Sequence, residues 1–231
     1  MLKKLLMDSW SFFKNHAVAI SMITLPIVIP IDVLTALYQY FLANEELKLS
    51  EQLIPMFIAM LVYPIYAAGI VFYIASVISD ERIDTKTSWK LGTKFWWPYV
   101  TMSFFVGLVV MLGFVLLVIP GIIFAVRYAF SEFELLLNKS NPLDSMKNSW
   151  DATKDYMWLI LGGYFVITLV LYAPYYLIAE LFDESSVYYL VIDTTLNIIF
   201  SVLGALYTIF AFRVYEFAKL QHNQPLNPDA P

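Results

Sequence analysis

PYVTMSFFVGLVVMLGFVLLVI, residues 98–119, is followed by PG at 120–121 and by IIFAVRYAFSEFELLL at 122–137. The first stretch is 22 residues long and carries no charge, enough helix to cross a hydrocarbon core that takes about 20 residues. Pro120 and Gly121 together mark a tight turn. The two stretches therefore read as one helical hairpin whose tip is buried in or near one leaflet. Its return leg is short, at about 24 Å of helix.

Outward from this hairpin the same reading recurs over 17–42, 53–78, 156–181 and 187–211, which makes six spans in three hairpins. The predicted fold class is all-α, a polytopic membrane protein, with residues 1–219 as one transmembrane domain and 220–231 as a flexible tail. Pro26 and Pro30 lie inside the first span, where each removes a backbone donor and bends the helix. Composition agrees: 60% of the 231 residues are hydrophobic and 14% charged, where soluble domains run nearer half apolar and a quarter charged. With no Cys and two His, His16 and His222, at opposite ends, neither a disulfide framework nor a metal site is expected. No cofactor is expected either.

Lys and Arg in short loops orient a membrane protein. With both termini inside, 12 of the 14 basic residues fall on the cytoplasmic side: Lys3, Lys4, Lys14, Arg82, Lys86, Lys90, Lys94, Lys139, Lys147, Lys154, Arg213 and Lys219. Lys48 alone falls outside, among Glu45, Glu46 and Glu51; the other outer loop carries Asp183 and Glu184, and Arg127 lies within a span. This arrangement predicts both termini on the cytoplasmic side. No cleavable signal peptide is expected, because Asp8 and Lys14 interrupt the apolar region after Lys3 and Lys4. The basic residues are interleaved with acids at a membrane surface, so no nucleic acid partner is expected.

Three hairpins are entered through Ser-Trp with a Lys four or five residues after the Trp: Ser9, Trp10, Lys14; Ser88, Trp89, Lys94; Ser149, Trp150, Lys154. Interfacial anchoring accounts for Trp10, Trp89 and Trp150 as well as a threefold parallel repeat does. The segments are amphipathic. At 100° per residue, Leu143, Met146, Trp150 and Met157 share one sector and Asp144, Lys147, Asn148, Asp151, Lys154 and Asp155 take the rest. A helix over 142–156 lying along the inner surface is expected, capped by Ser140 or Asn141 with Pro142 at its first position. Leu2, Leu5, Leu6, Trp10 and Phe13 make a similar stripe, read either as a surface helix or as an extension of the first span.

A charge near the bilayer centre costs roughly 2.5 to 3.5 kcal/mol, so Arg127 needs a partner or a job. Asp32 and Asp193 are expected at comparable depth on the outer half, forming an intramembrane polar cluster with it. Glu132 and Glu134 read as solvated, and on a helix they point about 200° apart, which excludes a glycosidase pair. Gly121, Ala125 and Ala129 repeat every four residues, a stripe that lets another helix approach closely. No Walker loop, dinucleotide fingerprint, zinc helix or Gly-x-Ser-x-Gly elbow is present. No catalytic residue is assigned, and the chain reads as no enzyme.

Ile119-Pro120-Gly121-Ile122-Ile123, then Asn138-Lys139, then Ser145-Met146-Lys147-Asn148-Ser149 resemble the core pattern of the YciC-like (UPF0259) family of bacterial inner-membrane proteins. The likeness runs from about Val106 to Lys219. It implies a six-span protein linked to envelope upkeep, without an assigned reaction. The preferred expectation is a scaffold or partner of another membrane or periplasmic component, seated in the phospholipid bilayer. The alternative is a lipid or small-solute transporter with its site around Arg127. A continuous cavity at that cluster would favour transport; a closed bundle with Arg127 paired to an acid would favour the scaffold.

Overall fold

A computed structural model describes residues 1–42, 49–180, 182 and 186–222. Lys48, Glu45, Glu46, Asp183, Glu184 and most of the expected tail lie outside them. The described residues form helices and no strand. In chain order these are α1 (Leu2–Leu42), α2 (Leu49–Ile78), α3 (Thr85–Lys94), α4 (Trp96–Leu116), α5 (Val118–Arg127), α6 (Ser131–Leu136), α7 (Pro142–Ala152), a 3-10 turn (Lys154–Tyr156), α8 (Met157–Ala179), α9 (Val187–Leu203) and α10 (Ala205–His222). Among them, five stretches are long and apolar enough to cross a membrane: Leu2–Tyr38, Phe57–Ile78, Trp96–Leu116, Lys154–Ile178 and Val187–Gln221.

The start of α1 is an extension of the first span and not a separate surface helix. One helix of 41 residues includes Pro26 and Pro30, and Phe12 and Phe13 near its start are buried in the same core as Ile20 and Ile23. It packs on α2, α9 and α10. Arg213 of α10 stacks over Phe12 at 5.5 Å. Leu2 lies against Gly162 near the start of α8, and the Tyr156 hydroxyl donates to Gln221 Oε1 at 2.7 Å. The start of α1, the start of α8 and the end of α10 thus gather at one end of the bundle, here called the terminal end.

The decisive hairpin differs from expectation in two ways. The chain turns at Leu117, which is extended (φ −164°, ψ 150°), so Pro120 and Gly121 fall inside the first turn of α5, where a missing N–H leaves nothing unpaired. The helices meet at two glycines: a Cβ on Gly113 would lie 2.9 Å from Gly121 Cα. Leu116, Leu117, Val118 and Ile119 at the tip are all exposed, as a lipid-facing end should be.

The expected fourth span is also not one helix. α5 has 10 residues and α6 has 6, about 15 and 9 Å, and neither crosses a bilayer alone. Between them the chain turns at 128–130 because α7 supplies other partners for the backbone. Ser149 Oγ donates to the Arg127 carbonyl (2.8 Å) and accepts from the Phe130 N–H (3.0 Å); Thr153 Oγ1 donates to the same carbonyl at 3.0 Å. Hydroxyls on α7 satisfy groups that helix continuation would have used. α6 is then packed into the terminal end: Phe133, Glu134, Leu135 and Leu136 are buried, with the Phe133 ring against Phe212 and Tyr215.

α7 begins as expected, with Asn141 Oδ1 accepting from the Asp144 N–H at 2.9 Å and Pro142 at its first position. Its buried face differs: it consists of Ser145, Met146, Ser149 and Thr153, while Leu143 is exposed. Polar backbone at the α5–α6 break makes a hydroxyl stripe, not an apolar one, the side that is hidden.

Candidate functional site

The side chains converge most strongly at the terminal end. Glu134 is buried, although the sequence suggests a solvated carboxylate. Tyr215 donates to its Oε1 at 2.9 Å, Asn138 Nδ2 to its Oε2 at 2.8 Å, and Asn148 Nδ2 reaches Oε2 at 3.4 Å. Asn138 Nδ2 also donates to the Tyr215 hydroxyl at 3.1 Å, and its Oδ1 accepts from Lys219 Nζ at 3.3 Å. Lys219 stands 4.7 Å over the Tyr215 ring. The chain leaves α6 through Lys139, whose φ of 54° is left-handed and rare for a side chain with a Cβ; this turn sets Asn138 beside Glu134.

Beside this network lies a cavity of about 650 Å³, bordered by Glu134, Asn148, Asp151, Asp155, Tyr215 and Lys219 among others. That volume is within the range of small-molecule and peptide-anchor sites. Three carboxylates against one ammonium give it a negative lining. Among the described residues no group of His, Cys, Asp or Glu is placed to hold a metal ion.

Glu132 points the other way along α6, as the 200° spacing requires, and accepts the Tyr99 hydroxyl at 2.6 Å. The two glutamates face different helices and flank no common point.

The expected cluster of Arg127, Asp32 and Asp193 is only half assembled. Asp32 and Asp193 are close enough for their charges to interact. Tyr175 donates to Asp193 Oδ1 and Asn197 Nδ2 to its Oδ2, while Asp32 Oδ2 is enclosed with no hydrogen-bond partner. Arg127 is elsewhere. Because α5 stops at Arg127 and is stitched to α7, its guanidinium lies 4.5 Å over the Trp150 ring and not beside the aspartates.

The small-residue stripe is likewise divided. Gly121 meets α4, Ala125 is exposed, and Ala129 falls in the turn after α5. A stripe needs one continuous helix, which the break at 128–130 removes.

Of the interfacial tryptophans, Trp10 is exposed and stacked on Phe13. Trp89 donates its indole N–H to the Ile23 carbonyl at 3.1 Å, tying α3 to α1. Trp150 is half-buried between Phe124 and Tyr128. What the three Ser-Trp segments share is the serine: Ser9, Ser88 and Ser149 are all buried, and each donates to a backbone carbonyl, of Leu5, Asp84 and Arg127 respectively.

The Glu134 network was missed from the sequence because the hydrogen bonds that close it join residues 81 apart along the chain. Its one signal was the pair Asn138-Lys139 and the Asn148 of the helix that follows.

The profile of an uncharacterised protein family, UPF0259, matches residues 46–217. Proteins described as UPF0259 membrane proteins in Buchnera aphidicola subsp. Acyrthosiphon pisum, strains 5A and APS, are each 26% identical over 180 residues, covering 74% of this chain and 69% of theirs. The strain Tuc7 protein matches to the same extent, 26% over 180 residues. No solved structure matches.

Proposed function

We propose a role for this chain on the premise that it belongs to the uncharacterised UPF0259 family: it is a non-enzymatic inner-membrane protein that supports the cell envelope as a scaffold, holding a membrane or periplasmic protein in place. In this reading the chain crosses the bilayer six times in three hairpins. α5, the turn and α6 serve as a broken fourth leg, and the terminal end with its lysines faces the cytoplasm. One observation carries the reading. The carboxylates inside the bundle are largely held by the protein itself, Glu132 by Tyr99, Glu134 by Tyr215 and Asn138, Asp193 by Tyr175 and Asn197. Paired groups of this kind hold helices in register, while the polar recess at the terminal end offers a place for a partner's side chains.

The alternative, a transporter, draws its support from the proximity of Asp32 and Asp193 and the unpartnered Asp32 Oδ2. The chain contains no cysteine, which makes one experiment decisive. Single cysteines at Ala152, in the recess, and at Asn197, beside Asp193, are labelled with an impermeant thiol reagent in spheroplasts and in inverted vesicles. The scaffold reading expects Ala152→Cys to react from the cytoplasmic side alone and Asn197→Cys never to react from that side. Either position reacting from both sides overturns it in favour of alternating access.

A further inference from the structure

Arginine keeps its charge at every pH a cell meets. Arg127 ends α5 with 8% of its surface exposed, and among the described residues its guanidinium makes neither a hydrogen bond nor an ion pair. Its partner is the face of Trp150, 4.5 Å away. A cation–π contact contributes about 0.5 to 2 kcal/mol and neutralises no charge. It also uses none of the five N–H donors, which lie in the guanidinium plane. The side chain therefore has an unmet need for an anion.

The position of the guanidinium is built, not incidental. The Arg127 carbonyl is held by both Ser149 and Thr153, and Trp150, on the same helix as Ser149, sits between Phe124 and Tyr128. None of the Arg127 nitrogens is completely enclosed: among the described residues the fully enclosed side-chain atoms without a partner are Thr24 Oγ1, Asp32 Oδ2 and Arg213 Nε. Aromatic side chains of this kind settle at the headgroup level of a bilayer. Lys147 and Lys154, both exposed, lie about one helical turn before and after Trp150. The nearest carboxylates along this segment, Asp151 and Asp155, border the recess with Glu134 and leave Arg127 without a counter-ion.

We propose that Arg127 is a binding site for a phosphate group presented by a phospholipid headgroup, with Trp150 as the platform under the guanidinium and Lys147 and Lys154 as outer charges. A guanidinium fork engages two oxygens of one phosphate, and the acyl chains run along the apolar exterior of α4 and α5. The inference rests on membrane embedding and not on the scaffold role, so either can fail alone.

The test is lipid retention by the full chain in non-ionic detergent, read by native mass spectrometry after exposure to phosphatidylglycerol, to diacylglycerol with the same tails, or to inorganic phosphate. Wild type is expected to retain one phosphatidylglycerol and no diacylglycerol, with inorganic phosphate failing to displace the lipid. Arg127→Gln should lower retention on the order of tenfold, and Arg82→Gln, altering an exposed cation remote in sequence, should not. Arg127→Lys keeps the charge without the fork and should fall several-fold, which covers the case in which Arg127→Gln does not fold. Unchanged retention in the Arg127 variants, or equal retention of diacylglycerol, overturns the proposal. Displacement of the lipid by inorganic phosphate assigns the site to the free anion and overturns the lipid as ligand.

Discussion

Replacing Ser149 by Ala removes one oxygen that serves two backbone groups at the α5–α6 break. The two groups are not left in the same condition. The Arg127 carbonyl keeps Thr153 Oγ1 at 3.0 Å, so its loss is one hydrogen bond of a pair, about 0.6 kcal/mol in a membrane bundle. The Phe130 N–H has Ser149 Oγ as its partner at 3.0 Å and is left buried and unpaired, which costs about 1 to 3 kcal/mol. Ser149→Ala is therefore expected to destabilise by about 2 to 3 kcal/mol. Thr153→Val leaves the Arg127 carbonyl and the Phe130 N–H both paired with Ser149 Oγ and should cost about 0.6 kcal/mol. In the double variant the carbonyl is orphaned too, so the loss should exceed the sum of the two singles by about 1 kcal/mol. Equilibrium unfolding in mixed micelles measures the three values, and hydrogen exchange at Phe130 reports the orphaned donor directly. Equal losses in the two single variants, or unchanged protection at Phe130, would refute the reasoning.

Gly92→Ala places a Cβ 2.1 Å from the Ile65 carbonyl oxygen, and backbone cannot step aside, so α3 should detach from α2 at a cost of about 3 kcal/mol in the same unfolding assay. Gly121→Ala meets the Phe114 ring at 2.5 Å, but that side chain is exposed and can swing outward, for a loss of about 1 kcal/mol; equal losses would contradict this account. Glu134→Gln turns an acceptor-only group into one with two donors facing Tyr215 and the asparagines, and a loss of about 1.5 to 3 kcal/mol is expected, with about half of it in Tyr215→Phe. Hydrogen bonds from Thr87 hold the Asp84 carboxyl below its usual range. Its capping of α3 is accordingly complete above the unfolded value of about 3.9 and lost as pH falls through the lower folded value. Exchange protection in α3, corrected for intrinsic rates, should drop over that acidic window and flatten in Asp84→Asn.

Membrane residence and an all-helical fold were legible in the sequence, because both follow from the length and composition of apolar runs, which are local properties. The helix starts at Asn141 and Pro142 and the opposed directions of Glu132 and Glu134 were legible for the same reason: a cap and a 3.6-residue period act within a few residues. The unbroken run of 122–137, by contrast, gave no sign that its helix stops at Arg127. That outcome depends on Ser149 and Thr153, more than 20 residues away, offering hydrogen bonds that compete with the helix's own. From that one competition follow the place of Arg127 on Trp150, the divided stripe of small residues and the burial of Glu134. Hydrophobicity is a property each residue carries along the chain, so the sequence by itself determined which segments leave water. A hydrogen bond needs a partner at about 3 Å, and only the tertiary structure decided which distant groups came that close.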